Sequence, residues 1–234
     1  MISSTSVAMT TCPASCADDE LAARVSANLD AVRARIASAG RASESVRIVA
    51  VTKGFGPEMV RAARAAGLGC VGENYLDELI DKRERTGDVD VHWHFLGALQ
   101  TNKIGRALER ADVLCALSRT KEIDKIAATK AGADVYVQVD CTGAPGRRGA
   151  APDEVPSLVG RGRDLGLHVL GLMTVAPDDR AGAREAFHIT SELADELGLV
   201  ERSMGMSDDL EVACEFATTE VRVGRALFGP RAGP

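Results

Sequence analysis

Aromatic residues are nearly missing from this chain, with 1 Trp, 2 Tyr and 5 Phe among 234 residues. Its core must therefore be assembled from Ala, Val, Leu and Ile. Positive charge is not in excess either: 28 Lys+Arg against 34 Asp+Glu leave a net charge of −6. That balance argues against a general nucleic-acid or membrane-surface binder, which would want a basic face. No stretch reaches the ~18 uninterrupted apolar residues of a membrane span. Residues 1–17 have neither a basic start nor an apolar centre, so they do not read as a signal peptide. They read as a flexible leader, with Met9 as an alternative start to Met1, and the expected compartment is the cytoplasm.

A disulfide framework is also lacking. Of the 6 Cys, those at 70, 115, 141 and 214 sit in apolar runs, where free Cys behaves as a small hydrophobe. Cys12 and Cys16 have no second pair to complete four zinc ligands. No linker, charge block or internal repeat divides the chain, and 45% hydrophobic with 26% charged residues excludes wholesale disorder.

What is present is alternation. A first helix is expected behind an Asp18 or Asp19 cap, with Leu21, Val25, Leu29, Val32 and Ile36 at helical spacing and Gly40 closing it. Apolar runs then fall at residues 46–52, 70–72, 93–96, 113–117, 135–140, 168–173, 199–203 and 220–223. Amphipathic stretches separate them at 57–66, 75–85, 103–110, 121–131, 152–165, 180–197 and 208–214, with Pro57 and Pro152 expected at first helical positions. Strands apolar on both faces and joined by single helices imply a parallel sheet with helical cover. The expected fold is α/β, a single (β/α)8 TIM barrel over residues 18–234 with an extra N-terminal helix. An open doubly wound sheet is the rival. It lacks its dinucleotide turn, because the first strand ends Thr52-Lys53-Gly54-Phe55-Gly56-Pro57.

Chemistry in such a barrel belongs at the C-terminal ends of the strands. Lys53 ends the first strand, where desolvation favours the neutral amine that imine formation needs; a lysine snorkelling into solvent is the other reading. Ser203-Met204-Gly205-Met206-Ser207 follows the seventh strand and Arg222-Val223-Gly224-Arg225 the eighth, the loops that commonly bind phosphate. A rim lysine with a phosphate site suggests pyridoxal 5'-phosphate, with Arg222 as partner of its ring nitrogen; the other reading of Arg222 is a structural salt bridge. His92 and His94, two apart on a strand, raise a metal-dependent hydrolase, but neither His168 nor His188 is placed to complete a site. Asp77-Glu78 is expected as a solvated helix pair.

The chain resembles the YggS/PROSC family of pyridoxal phosphate homeostasis proteins, which look like the alanine racemase barrel standing alone. The matching segments include Val51-Thr52-Lys53, Gly72-Glu73-Asn74-Tyr75, Trp93-His94-Phe95-Leu96-Gly97-Ala98-Leu99-Gln100-Thr101-Asn102-Lys103, Gly171-Leu172-Met173-Thr174, Ser203-Met204-Gly205-Met206-Ser207 and Glu220-Val221-Arg222-Val223-Gly224. The resemblance implies a Schiff base at Lys53, with Asn74 beside the cofactor ring and His94 near the same mouth. It implies phosphate contacts from Ser203 and the backbone of Gly224 and Arg225. Arg222 would face the ring nitrogen, and Met173 and Met206 would line the pocket. Two departures stand out: Arg225 replaces the family's usual Thr or Ser, and the loop at 142–149 carries Arg147-Arg148 instead of a lysine, read as a solvated surface loop.

The implied function is non-catalytic binding that buffers or delivers pyridoxal phosphate, with PLP-dependent apoenzymes as recipients. A low-activity amino-acid racemase is the alternative. Against it, the chain ends after the eighth unit without the racemase β domain, and neither Tyr75 nor Tyr136 is placed as a second base. A monomer or a weak dimer, without nucleic acid or membrane, is the assembly expected.

Overall fold

A computed structural model describes residues 14–231. Eight parallel strands, β1 (Arg47–Val51), β2 (Cys70–Glu73), β3 (His92–Phe95), β4 (Val113–Leu117), β5 (Asp134–Val139), β6 (His168–Thr174), β7 (Glu201–Ser203) and β8 (Glu220–Val223), close into a barrel in chain order. The closure is the β1–β8 pairing, with Arg47 opposite Glu220 and Ala50 opposite Val223. Helices α1 (Ala14–Ser38), α2 (Glu58–Ala65), α3 (Leu76–Arg85), α4 (Ile104–Arg110), α5 (Thr120–Thr129), α6 (Val155–Asp164), α7 (Arg180–Glu196), α8 (Leu210–Glu215) and α9 (Arg225–Phe228) surround it.

Side chains alternate across each strand, so one set faces the helices and the other the barrel axis. Ile48, Ala50, Val71, Val221 and Val223 join the buried layer under the helices. Val25, Leu29, Val32 and Ile36 of α1, at most 1% exposed, join that layer, with α1 packed on α2, α8 and α9. Each such side chain contributes about 1.5–3 kcal/mol by leaving water. The axial face is mixed: Val113, Cys115, Tyr136 and Met173 form a small apolar cluster beside a polar group. Arg47 pairs with Glu201 and Glu220, each at 3.2 Å, and Ser203 Oγ donates to Glu220 Oε1 at 2.7 Å.

Local expectations are corrected in several places. The first helix begins at Ala14, so neither Asp18 nor Asp19 caps it, and residues 14–17 belong to the helix; residues 1–13 of the expected leader lie outside the described residues. Ala-rich sequence continues a helix backward at little cost, which removes the need for a cap at the aspartates. Pro57 occupies the N-cap of α2 and Pro152 precedes α6, whose own early proline is Pro156. Either site spares a backbone N–H that a helix start leaves free. The four-residue α9 is too short to have a periodicity that sequence can display.

Candidate functional site

Lys53 sits at the second position of a tight turn. Thr52 O accepts from the Phe55 N–H at 3.0 Å, and Gly54, at the third position, has φ +73°. A turn of this kind needs positive φ there, which glycine supplies without strain. Helix α3 grips the same turn from outside: Lys82 Nζ donates to Thr52 O at 2.7 Å, and the Gly54 N–H donates to Glu78 Oε2 at 2.8 Å. Glu78 is therefore no solvated charge. Burial pushes its carboxyl up, but the Gly54 N–H and Lys82 outweigh that and hold it below its ordinary value. Lys53 itself is half-buried. Burial, then the charges of Arg231 and Arg222, pull its ammonium below the usual lysine value, with Glu73 acting the other way.

Arg222 is 5% exposed and fixed on three sides. Nη1 donates to Ser203 O at 2.6 Å and Ser203 Oγ at 2.8 Å, while Nη2 donates to Thr174 O at 2.7 Å. Burial draws its pKa down and Glu220 opposes this. Ser203, expected as a phosphate contact, thus has its hydroxyl engaged inside the barrel by Arg222 and Glu220. The hydroxyl standing at the first turn of α9 belongs to Ser207, which accepts from the Ala226 N–H at 3.2 Å. Gly205 lets the loop between them turn. Its φ is +97°, and a Cβ there would lie 2.7 Å from Ala213 Cβ. Met206 is part-buried beside these residues, its N–H donating to Asp209 Oδ1 at 2.5 Å. Gly224 caps α9 next to Arg225, whose exposed guanidinium pairs with Asp208.

His94 is buried at 3% exposure, with Nδ1 3.7 Å from Cys115 Sγ and 3.8 Å from Glu220 Oε2. It belongs to the axial layer with Glu220 and not to the mouth, because it lies within β3 while the rim begins after Phe95. His92 is exposed at the opposite end of that strand. Among the described residues no three His, Cys, Asp or Glu side chains gather as a metal site.

A cavity of about 950 Å³ opens on the mouth beside these groups, lined by Asn74, Met173, Tyr75, Gln138, Arg147 and Arg148 among others. It shares Asn74 and Met173 with the expected cofactor site, but Lys53, Arg222, Ser207 and Gly224 stand outside its lining. The 142–149 loop is exposed from Gly143 to Arg148, as the surface reading expects, and it is also anchored beside the cavity. Gln138 Nε2 donates to Arg148 O at 2.9 Å, and Arg147 Nη1 donates to Val175 O and Ala176 O, each at 3.2 Å. Backbone pairing of Ala150 with Gln138 and Asp140 ties the loop's end to β5. Tyr75, 61% exposed, stands on the opposite wall, while Tyr136 is buried in the barrel. Sequence reasoning missed Lys82 and Ser207. The signal for Lys82 was its spacing on the apolar stripe of Leu76 and Leu79; for Ser207 it was the second serine of the Ser203–Ser207 segment.

A family model described as the alanine racemase N-terminal domain matches residues 27–232. The pyridoxal phosphate homeostasis protein of Deinococcus radiodurans is 40% identical over 209 residues, covering 87% of this chain and 99% of that protein. That of Pseudomonas aeruginosa is 36% identical over 220 residues, covering 88% and 96%. Among solved structures, PipY of Synechococcus elongatus with PLP bound superposes with a TM-score of 0.76 at 28% identity, covering 88% of this chain and 100% of that one. Alanine racemase from Corynebacterium glutamicum, at 19% identity and a TM-score of 0.70, shares the fold over 90% of this chain and 61% of its own. A barrel with a rim lysine, a buried Arg222 and paired loops after β7 and β8, matched along nearly its whole length by these relatives, belongs to the pyridoxal phosphate homeostasis protein family, built on the alanine racemase N-terminal domain.

Proposed function

We propose that this chain binds pyridoxal 5'-phosphate reversibly through Lys53 and serves to buffer or deliver it, without turnover of its own. The observation that carries the reading is the placement of Lys53: a half-buried amine, its charged form disfavoured, on a rigid turn at the same mouth as Arg222 and the β7 and β8 loops. The names of the relatives and the PLP-bound PipY structure support it. The residues present fit the group. Ser207 stands with its hydroxyl at the Ala226 N–H beside Gly224, hydroxyl and backbone groups suited to a phosphate, and an amine stands ready for an aldehyde. Bound there, the cofactor would supply an aldehyde conjugated to an electron-withdrawing ring.

Each residue then has a role. Lys53 Nζ would hold the aldehyde carbon, and Ser207 with the backbone of Gly224 and Arg225 would hold the phosphate. Asn74, Met173 and Met206 would flank the ring. Arg222, oriented by Ser203 and Thr174, would direct a donor toward the ring nitrogen; a guanidinium keeps its protons, so the ring would remain a weak electron sink. That favours retention over catalysis. No helix among the described residues is long and apolar enough to cross a membrane. The reading places the protein in the cytoplasm, with PLP-dependent apoenzymes as recipients and residues 18–234 as the binding unit.

The test is borohydride reduction followed by mass-spectrometric mapping, with Lys53→Ala alongside. A stoichiometric phosphopyridoxyl adduct on Lys53, absent in the variant, is expected; adducts scattered over surface lysines would overturn the assignment. Optical rotation of L-Ala or L-Ser separates the carrier from a racemase, because only an enzyme exceeds the free-cofactor control.

A further inference from the structure

Beneath the Lys53 turn lies a buried ion pair that the binding site does not use. Lys82 is 3% exposed and Glu73 fully buried, with Nζ 2.6 Å from Glu73 Oε1. All three Lys82 protons have acceptors: Glu73 Oε1, Glu78 Oε2 at 2.9 Å, and Thr52 O at 2.7 Å. Glu73 Oε1 also accepts from Thr52 Oγ1 at 2.6 Å, while its Oε2 is buried without a partner. Taking both charges out of water gains little for packing, since apolar residues of similar volume commonly fill such a space as well. What the charges do here is local. Thr52 O and Gly54 N are the backbone groups on either side of Lys53, and the α3 side chains hold both.

We propose that Lys82 is a positioning residue for Lys53, its ammonium, set by Glu73 and Glu78, locking the Thr52–Phe55 turn so that the Lys53 amine is presented to an aldehyde at the barrel mouth. The inference rests on Lys53 being the attachment residue. Attachment joins Lys53 Nζ to the aldehyde carbon with loss of one water and no oxidant or reductant. Its rate and affinity depend on where Nζ stands, and a small misplacement is costly. Glu73 also acts on Lys53 by charge, which allows the two effects to be separated. Arg231 and Arg222 disfavour the Lys53 ammonium and Glu73 favours it.

The experiment compares the full-length wild-type chain with Lys82→Met/Glu73→Gln, which removes both charges together, and with Glu78→Ala, at a partly exposed site that does not threaten folding. Affinity for pyridoxal phosphate is read from adduct absorbance at the pH optimum of each protein. In the apoprotein, competitive acetylation of Lys53 is followed against pH. The expected result is an affinity lowered about tenfold or more in the double variant and about threefold in Glu78→Ala, with the folded circular-dichroism spectrum kept. Loss of the Glu73 charge moves the acetylation midpoint to lower pH. Affinities within about twofold of wild type, whatever the midpoint does, would overturn the positioning role. Should the double variant fail to fold, Glu78→Ala decides alone. If the wild-type adduct maps away from Lys53, the attachment reading falls first and this inference with it.

Discussion

Lys53 takes its character from the charges around the end of β1, and these can be changed one at a time. Arg231 lies close enough that a Cβ on Gly54 would touch its side chain at 3.0 Å, and its charge disfavours the Lys53 ammonium. Adduct formation uses the neutral amine, so its pH profile rises through the Lys53 pKa. Removing a neighbouring cation stabilises the ammonium and raises that pKa. Arg231→Ala should therefore move the midpoint of adduct formation upward by about half a pH unit, measured by absorbance titration; a midpoint that stays or falls contradicts the placement. Ser207 offers a second single-residue check. Ser207→Ala should weaken pyridoxal phosphate binding by about 1 kcal/mol while leaving binding of unphosphorylated pyridoxal unchanged, as compared by equilibrium titration. Equal losses for both ligands would place Ser207 away from the phosphate. Lys53 and Arg222 were legible in the sequence because strand ends in a barrel are informative positions. Lys82 was not, because a lysine on a helix ordinarily extends into water. Ser203 was read one contact too literally, since its hydroxyl serves Arg222 and Glu220.

Elements were more legible than residues. β4 and β5 lie at or near residues 113–117 and 135–140, because continuous β-branched and apolar runs bounded by loops have few other ways to be buried. Helix starts were less so. Pro152 and Pro156 both satisfy the chemistry of a first turn, and only packing against the sheet selects the second. The 142–149 loop is exposed as its composition suggests, but its anchoring through Ala150 and Gln138 is a contact that composition does not record. Where an element start is set by a side chain, its strength can be measured. Asp179 caps α7, accepting from the Gly182 N–H at 2.8 Å, on an exposed turn. Asp179→Ala should cost about 0.5–2 kcal/mol in urea unfolding and leave the Lys53 adduct yield intact. A parallel loss of adduct would mean that α7 sets the mouth geometry as well as the stability.

At the scale of the whole molecule, the unusual feature is a polar column that shares the barrel axis with an apolar cluster of Val113, Cys115, Tyr136 and Met173, where branched apolar side chains commonly stack. Arg47, Glu201, Glu220, Ser203 and Arg222 form a connected column from the closed end toward the mouth, and His94 sits against it. Burial lowers the His94 pKa, Glu220 opposes this, and Arg47 adds to the lowering. In the unfolded chain the same imidazole titrates near its ordinary value of about 6.5. Between the two values the unfolded chain binds the extra proton. Stability is therefore whole above about pH 6.5, falls as pH drops through that value, and stops falling below the folded pKa, at a rate of at most about 1.4 kcal/mol per pH unit. Glu73 works in the opposite direction: burial raises its folded pKa, so protonation at lower pH favours the folded state. A wild-type acid profile mixes the two. His94→Gln separates them, because the variant keeps Glu73 and loses only the imidazole. Urea unfolding of both proteins between about pH 5 and 8 should show the wild type more stable above about pH 6.5, with the gap narrowing steadily below it. A gap constant across that range would mean that His94 is not held neutral, and that the column tolerates a further positive charge beside Arg47.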